Sequence, residues 1–98
     1  MATVGFGDFE WEEDKARSNL EKHGVSFEEA SSVFLDPYFL ATDDPTASDR
    51  FIALGFSRLA RLLFVVHLER GEKVRIISAR RASRSERRTY EQRRDDRD

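Results

Sequence analysis

The stretch from Lys73 to Arg88, K-V-R-I-I-S-A-R-R-A-S-R-S-E-R-R, must begin as a strand and end as a helix. Val74, Ile76 and Ile77 are β-branched, and Arg75 interrupts them with a charge, which is the pattern of a half-buried strand. Ser83-x-x-Glu86 is a capping box, in which a hydroxyl and a carboxylate satisfy the free N–H groups of a first helical turn. Arg80, Arg81, Arg84, Arg87 and Arg88 place five guanidinium groups within nine residues at this junction. Such a concentration cannot be a core. It is a positive surface suited to a phosphate or a carboxylate.

The rest of the chain reads as the scaffold for that junction. Met1 to Gly7 has no periodic pattern and is expected to be a loose lead-in. Asp8 to Trp11 alternates as a short strand, and Glu12, Glu13 and Asp14 supply the acidic first turn of a helix that Gly24 stops. Ser26-x-x-Glu29 opens a second helix carrying Phe27, Ala30, Val33 and Phe34, ended by Asp36-Pro37. Strands follow at Tyr38–Thr42, Phe51–Phe56, Leu62–Leu68 and Lys73–Ala79, the last two joined by a turn at Glu69-Arg70-Gly71-Glu72. Leu62–Leu68 is the most apolar and is expected at the centre of the sheet. A final helix is predicted from Ser83 to about Arg94, with Asp95 to Asp98 frayed. The order β-α-α-β-β-β-β-α predicts one α+β domain over residues 1–98: a small antiparallel β-sheet with two N-terminal helices packed on it and a C-terminal helix.

Charge is distributed unevenly. The net charge is −2, but residues 1–49 carry 12 acidic against 3 basic side chains and residues 50–98 carry 7 against 14, balances of −9 and +7. An anionic partner for the second half, nucleic acid foremost, accounts for this asymmetry. The alternative is that the two halves lie against each other as ion pairs. With no Cys in 98 residues, disulfides, thiol catalysis and thiolate metal sites are all excluded. The longest apolar run, Leu62 to Val66, is far too short to span a bilayer, and no signal peptide is visible, so a soluble cytoplasmic protein with no membrane partner is expected.

Few residues can carry chemistry. His23 and Lys22 end the first helix, where the dipole alone favours a cation, or else they reach the basic junction and touch a phosphate. His67 stands on an apolar strand: a general acid or base if its side of the sheet is open, a core histidine if it is covered. Trp11 can stack on a base or fill the core. Two isolated histidines lack metal-ligand spacing, and Asp43-Asp44 and Asp95-Asp96 read as solvated pairs, so no metal and no cofactor is expected. No phosphate-cradling glycine loop or nucleophile elbow occurs. What remains is metal-free phosphodiester chemistry, in which the RNA 2′-hydroxyl attacks its own phosphate. The protein then needs only proton carriers (His67, His23 or Glu69) and positive groups such as Arg75, Arg80 and Lys22.

Several blocks resemble the BrnT toxins: Phe9-Glu-Trp11, Asn19-Leu-Glu-Lys-His-Gly24, Val25-Ser-Phe-Glu-Glu-Ala30, Phe34-Leu-Asp-Pro37 and Arg75-Ile-Ile-Ser-Ala-Arg-Arg-Ala82. The resemblance covers Asp8 to about Glu91 and implies a fold like that of the RelE-like ribonucleases. It implies the toxin half of a type II toxin–antitoxin pair, cutting RNA and inhibiting translation. A dimeric, DNA-binding BrnA-like antitoxin would neutralise it, giving a heterotetramer that reaches operator DNA through the antitoxin. Carried onto this chain, the resemblance makes Arg80 and Arg75 the phosphate and transition-state contacts, places Lys22 and His23 in or beside the cleft, and leaves His67 as a proton carrier. Arg70, Arg81, Arg84 and Trp11 are the further candidates for RNA contact. The rival expectation is a non-catalytic nucleic-acid- or antitoxin-binding module acting as a co-repressor.

Overall fold

Two hairpins with a glycine at the first loop position supply four of the six strands, one pair at an edge of the sheet and one at its centre. In a computed structural model, which describes residues 2–97, β1 (Thr3–Phe6) turns at Gly7-Asp8 into β2 (Phe9–Glu12). Near the other end of the chain, β5 (Leu62–Arg70) turns at Gly71-Glu72 into β6 (Lys73–Arg81). Gly7 and Gly71 have φ of +59° and +64°, the left-handed backbone that such two-residue loops require. Between the hairpins run α1 (Glu13–His23), α2 (Phe27–Ser31), a 3₁₀ turn (Ser32–Leu35), β3 (Leu40–Asp43) and β4 (Phe51–Phe56); α3 (Arg84–Arg97) closes the chain. The predicted element order holds, with one strand added. Residues 3–6 are not a loose lead-in but pair with β2, because Val4 lies opposite Trp11 and Phe6 opposite Phe9. Likewise α3 continues through Arg97 rather than fraying from Asp95, and Met1 and Asp98 lie outside the described residues.

The six strands are ordered β1-β2-β6-β5-β4-β3. All neighbours are antiparallel except β2 and β6, which are parallel over Phe9↔Val74 and Glu10↔Arg75 alone. One face is covered by α1, α2 and the 3₁₀ turn. There Trp11, Val25, Phe27, Ala30, Val33, Ala53, Leu63, Val65, Ile76 and Ala79 form the main core. The opposite face carries a smaller cluster, Leu54, Leu62 and Tyr90 with Tyr38, Phe56, Phe64 and Ala82 against it, and it is covered only where α3 crosses.

Polar groups fix how these layers meet. Asn19 is the buried residue of α1, and its amide donates to the carbonyls of Val25 (2.9 Å) and Ala79 (2.8 Å) while its Oδ1 accepts from the Ala79 N–H (3.1 Å). It thereby completes the edge of β6 where β2 has already left the sheet. Ser26 caps α2 by accepting from the Glu29 N–H, but the Glu29 carboxylate does not close the capping box. It is buried instead against Arg61 and the Ser57 hydroxyl, and the Arg61 ion pair and hydrogen bond hold it below the usual carboxylate range. Asp36 accepts from the N–H groups of Tyr38 and Phe56 and from the Tyr90 hydroxyl (2.6 Å), which ties α3 to the sheet. Burial, with the neighbouring Asp36 carboxylate as the lesser cause, pushes the Tyr90 phenol well above its ordinary value. Gly55 is required where the 3₁₀ turn lies on β4, because a Cβ there would stand 2.9 Å from the Phe39 Cβ and 3.0 Å from Val33. Among the described residues no helix is long and apolar enough to cross a membrane.

Asn19→Ala strands the Ala79 N–H and two carbonyls in a buried site, so it is expected to cost roughly 2–4 kcal/mol of stability. Urea unfolding monitored by circular dichroism measures this, and a loss under 1 kcal/mol would show that the amide is not the anchor of α1 on about that scale.

Candidate active site

In a regular strand, side chains five residues apart point to opposite faces, so Arg75 and Arg80 would be separated by the sheet. A bulge in β6 prevents this. Val66 pairs with Ser78 and His67 with Ile76, which leaves Ile77 as the extra residue and resets the alternation. Both arginines therefore emerge on the face that α1 and α2 leave open, opposite Leu68 and Phe64 of β5. Five residues of strand put their backbones about 15 Å apart, and the two guanidinium groups are turned to different carboxylates.

Each arginine already has a carboxylate. Arg75 donates to Glu10 on β2 at 2.7 Å, both side chains being 15% exposed. Arg80 lies over the Phe64 ring, its guanidinium carbon 4.0 Å from the centroid, and donates from two nitrogens to the two oxygens of Glu86 at 2.8 and 2.9 Å. The predicted capping box at the start of α3 is present: Ser83 accepts from the Glu86 N–H (3.2 Å) and Glu86 accepts from the Ser83 N–H (2.8 Å). One carboxylate thus starts the helix and holds the arginine. Hydrogen bonding to Arg80 holds Glu86 below the ordinary carboxylate range, and the same contact raises Arg80. Beside the pair opens a groove of about 400 Å³ between α3 and strands β3 to β5, lined by Leu40, Ile52, Leu54, Phe64, Glu86 and Thr89, with Arg93 and Arg97 also on α3.

The other sequence candidates disperse. Arg81 and Arg84 are exposed at the β6–α3 junction near Arg80, whereas Arg70 is exposed at the far hairpin, paired across from Lys73. Lys22 is exposed and His23 half-buried at the end of α1, the helix that Asn19 seats on the covered face. Neither is brought into hydrogen-bond contact with Arg75 or Arg80 among the described residues, and the helix dipole and Gly24 stop account for both. Trp11 is 2% exposed and packed edge-on to Phe27, so it is core and offers no ring face to a base. His67 is 7% exposed on the covered face, between Phe34 and Phe51, and neither ring nitrogen has a protein partner. It is a buried histidine far from the open face, not positioned to move protons there. Glu10, Glu86 and Phe64, which complete the two arginine sites, were not visible as such. Glu86 could be read only as a helix cap, and the other two are brought in by strand pairing. Among the described residues no three His, Asp or Glu side chains gather as a metal-binding group.

The family model described as "Ribonuclease toxin, BrnT, of type II toxin-antitoxin system" matches residues 11–86, from Trp11 through Glu86. The chain belongs to the BrnT family of ribonuclease toxins. It is similar in structure to the Brucella abortus ribonuclease toxin BrnT, with a TM-score of 0.61 and 27% identity over 76% of this chain and 94% of that one. No curated protein matches the chain significantly. Within the BrnT blocks read from the sequence, much of what is distinctive is structural: Asn19 seats α1, Glu29 binds Arg61, and Asp36 binds Tyr90. The Arg75–Ala82 block alone carries arginines to the open face.

His67 yields a pH test. Burial pushes its imidazole below the ordinary value, with Glu69 opposing weakly. The unfolded chain therefore binds the proton first, so stability is full above about pH 6.5 and is lost as pH falls from there towards the folded-state value. His67→Leu is expected to flatten that fall in Tm between neutral pH and the carboxylate range. An unchanged slope would show that another group carries it.

Proposed function

We propose that this toxin is an endoribonuclease that cuts RNA without a metal and so blocks translation in the cytoplasm, with Arg80 at the scissile phosphate and Arg75 on a neighbouring one. The observation that carries the reading is the placement of Arg80: on the open face, backed by the Phe64 ring, with its fork already engaged by two carboxylate oxygens. A guanidinium that holds a carboxylate in this way holds two phosphoryl oxygens by the same geometry. In-line attack by a ribose 2′-oxygen builds negative charge on those oxygens, and a pre-positioned arginine stabilises it. Arg75, about 15 Å along the strand, fits a phosphate further along the same RNA and adds binding rather than chemistry. Arg81 and Arg84 extend the positive track from the junction.

The type II family places an antitoxin beside the toxin. We take it to be a BrnA-like protein whose dimer joins two toxins in a heterotetramer and reaches operator DNA for both. The arginines of α3 suit an acidic antitoxin segment as well as they suit RNA. The second reading, a non-catalytic co-repressor subunit, draws on the fact that both arginines are already paired with carboxylates.

Purified chain in EDTA, with free RNA and with translating ribosomes, decides between the two. Wild-type cleavage is expected to fall by about 10²–10³-fold in Arg80→Ala, with circular dichroism unchanged. A folded wild type that cleaves neither substrate would move the assignment to the binding module.

A further inference from the structure

Phosphate binding at Arg80 has a consequence for Glu86. The carboxylate takes one hydrogen bond from each terminal nitrogen of the guanidinium, so a phosphodiester that takes this end-on fork displaces it. Displacement cannot carry it far. Its backbone N–H is held by the Ser83 hydroxyl in the first turn of α3 and its Oε1 also accepts from the Ser83 N–H, so it can move only by its own side-chain torsions about that tether. The carboxylate also lines the groove that runs past Phe64 and Thr89 towards Arg93 and Arg97, which is the space open to a nucleoside attached to that phosphate. A displaced Glu86 therefore stays beside the ribose whose 2′-hydroxyl is to attack.

Resting on the ribonuclease reading above, we infer that Glu86 is the general base of the reaction and that, before RNA arrives, it sits on Arg80 as a stand-in for the phosphate. The Glu86 carboxylate takes the proton of the 2′-hydroxyl as the 2′-oxygen bonds to phosphorus. The bond from phosphorus to the 5′-oxygen breaks, and that oxygen takes a proton from water. The products are a 2′,3′-cyclic phosphate and a 5′-hydroxyl, and Glu86 then returns its proton to solvent. The exchange of partners also tunes the base. Paired with Arg80 its acidity is enhanced, and once Arg80 turns to phosphate the carboxylate moves back towards its ordinary range and holds a proton better. Glu10, another carboxylate of the open face, is tied to Arg75 at the far site and does not line the groove.

Glu86→Gln is the informative variant, because Gln serves equally at the third position of a capping box and should leave α3 in place. The assay uses a short fluorescent single-stranded RNA and, for binding, its 2′-deoxy counterpart, which cannot be cleaved. Where the wild type requires ribosomes, cleavage is read on ribosome-bound message. E86Q is expected to lose about 10²–10⁴-fold in single-turnover cleavage rate. It should lose the acid-side limb of the pH–rate profile and bind the deoxy oligonucleotide at least as tightly as wild type, since Arg80 is freed. Glu86→Asp, which keeps a carboxylate, should recover part of the rate. Wild-type rate and pH profile in folded E86Q would overturn the assignment while leaving the ribonuclease reading intact. So would a rate loss matched by an equal loss of binding, which is what a merely structural cap would produce. Absence of cleavage by wild type on either substrate would remove the reading beneath it.

Discussion

One side-chain amide holds this architecture together. Strand β2 pairs with β6 at only two positions before the chain leaves the sheet as α1, which would abandon the edge of β6 just where Arg80 follows. Asn19 takes up the freed donor and acceptor of Ala79 and a carbonyl of Val25 from within the helix. An apolar residue there could supply contact area but not hydrogen bonds, and a buried backbone N–H without a partner is costly. Because the bonded residue is Ala79, the amide also fixes the backbone that presents Arg80 on the other face of the strand.

Charges from the two halves of the chain meet in the same economical way. Glu10 and Glu29 come from the acidic half, and Arg75 and Arg61 from the basic half. The asymmetry is thus partly internal, as ion pairs across the fold. Glu29–Arg61 is buried enough that deleting one partner would leave an uncompensated charge, whereas Arg75–Glu10 and Arg80–Glu86 lie at the open face. Two arginines of α3 lie instead over half-buried rings, Arg87 on Phe56 and Arg97 on Tyr38. The ion-pair account of the charge pattern therefore holds for Glu10, Glu29, Arg61 and Arg75.

The open face is kept open by the thinness of its cover. Helix α3 buries Tyr90, which reaches Asp36 and packs on Phe56, while the rest of its surface stays mostly with solvent. The Asp36-Pro37 step therefore does more than end the preceding helix: its carboxylate accepts from the Tyr38 N–H just beyond it, from β4 at Phe56 and from α3 at Tyr90. The groove beside Arg80 exists because α3 crosses one end of the sheet and, among the described residues, no helix covers the remainder of that face.

Local patterns decided much of this protein. The capping box at Ser83-x-x-Glu86, the stop at Gly24, the turn at Gly71 and the alternation of Leu62–Leu68 are consequences of backbone chemistry within a few residues, so they could be read directly and gave the element order. The two things that make a site were beyond that reach. One is the bulge at Ile77: nothing in V-R-I-I-S-A-R announces which residue will be left unpaired, because the choice depends on the register β5 imposes, and only that choice turns Arg75 and Arg80 to the same face. The other is burial. His67 and Trp11 have residue types that suit catalysis and base stacking, but which face of the sheet the helices cover is set by the packing of the whole chain, and it closes over both. The sequence by itself determined the elements and the chemistry available. Tertiary structure decided which of those groups share a surface, because strand register and layer packing are properties of pairs of segments distant along the chain.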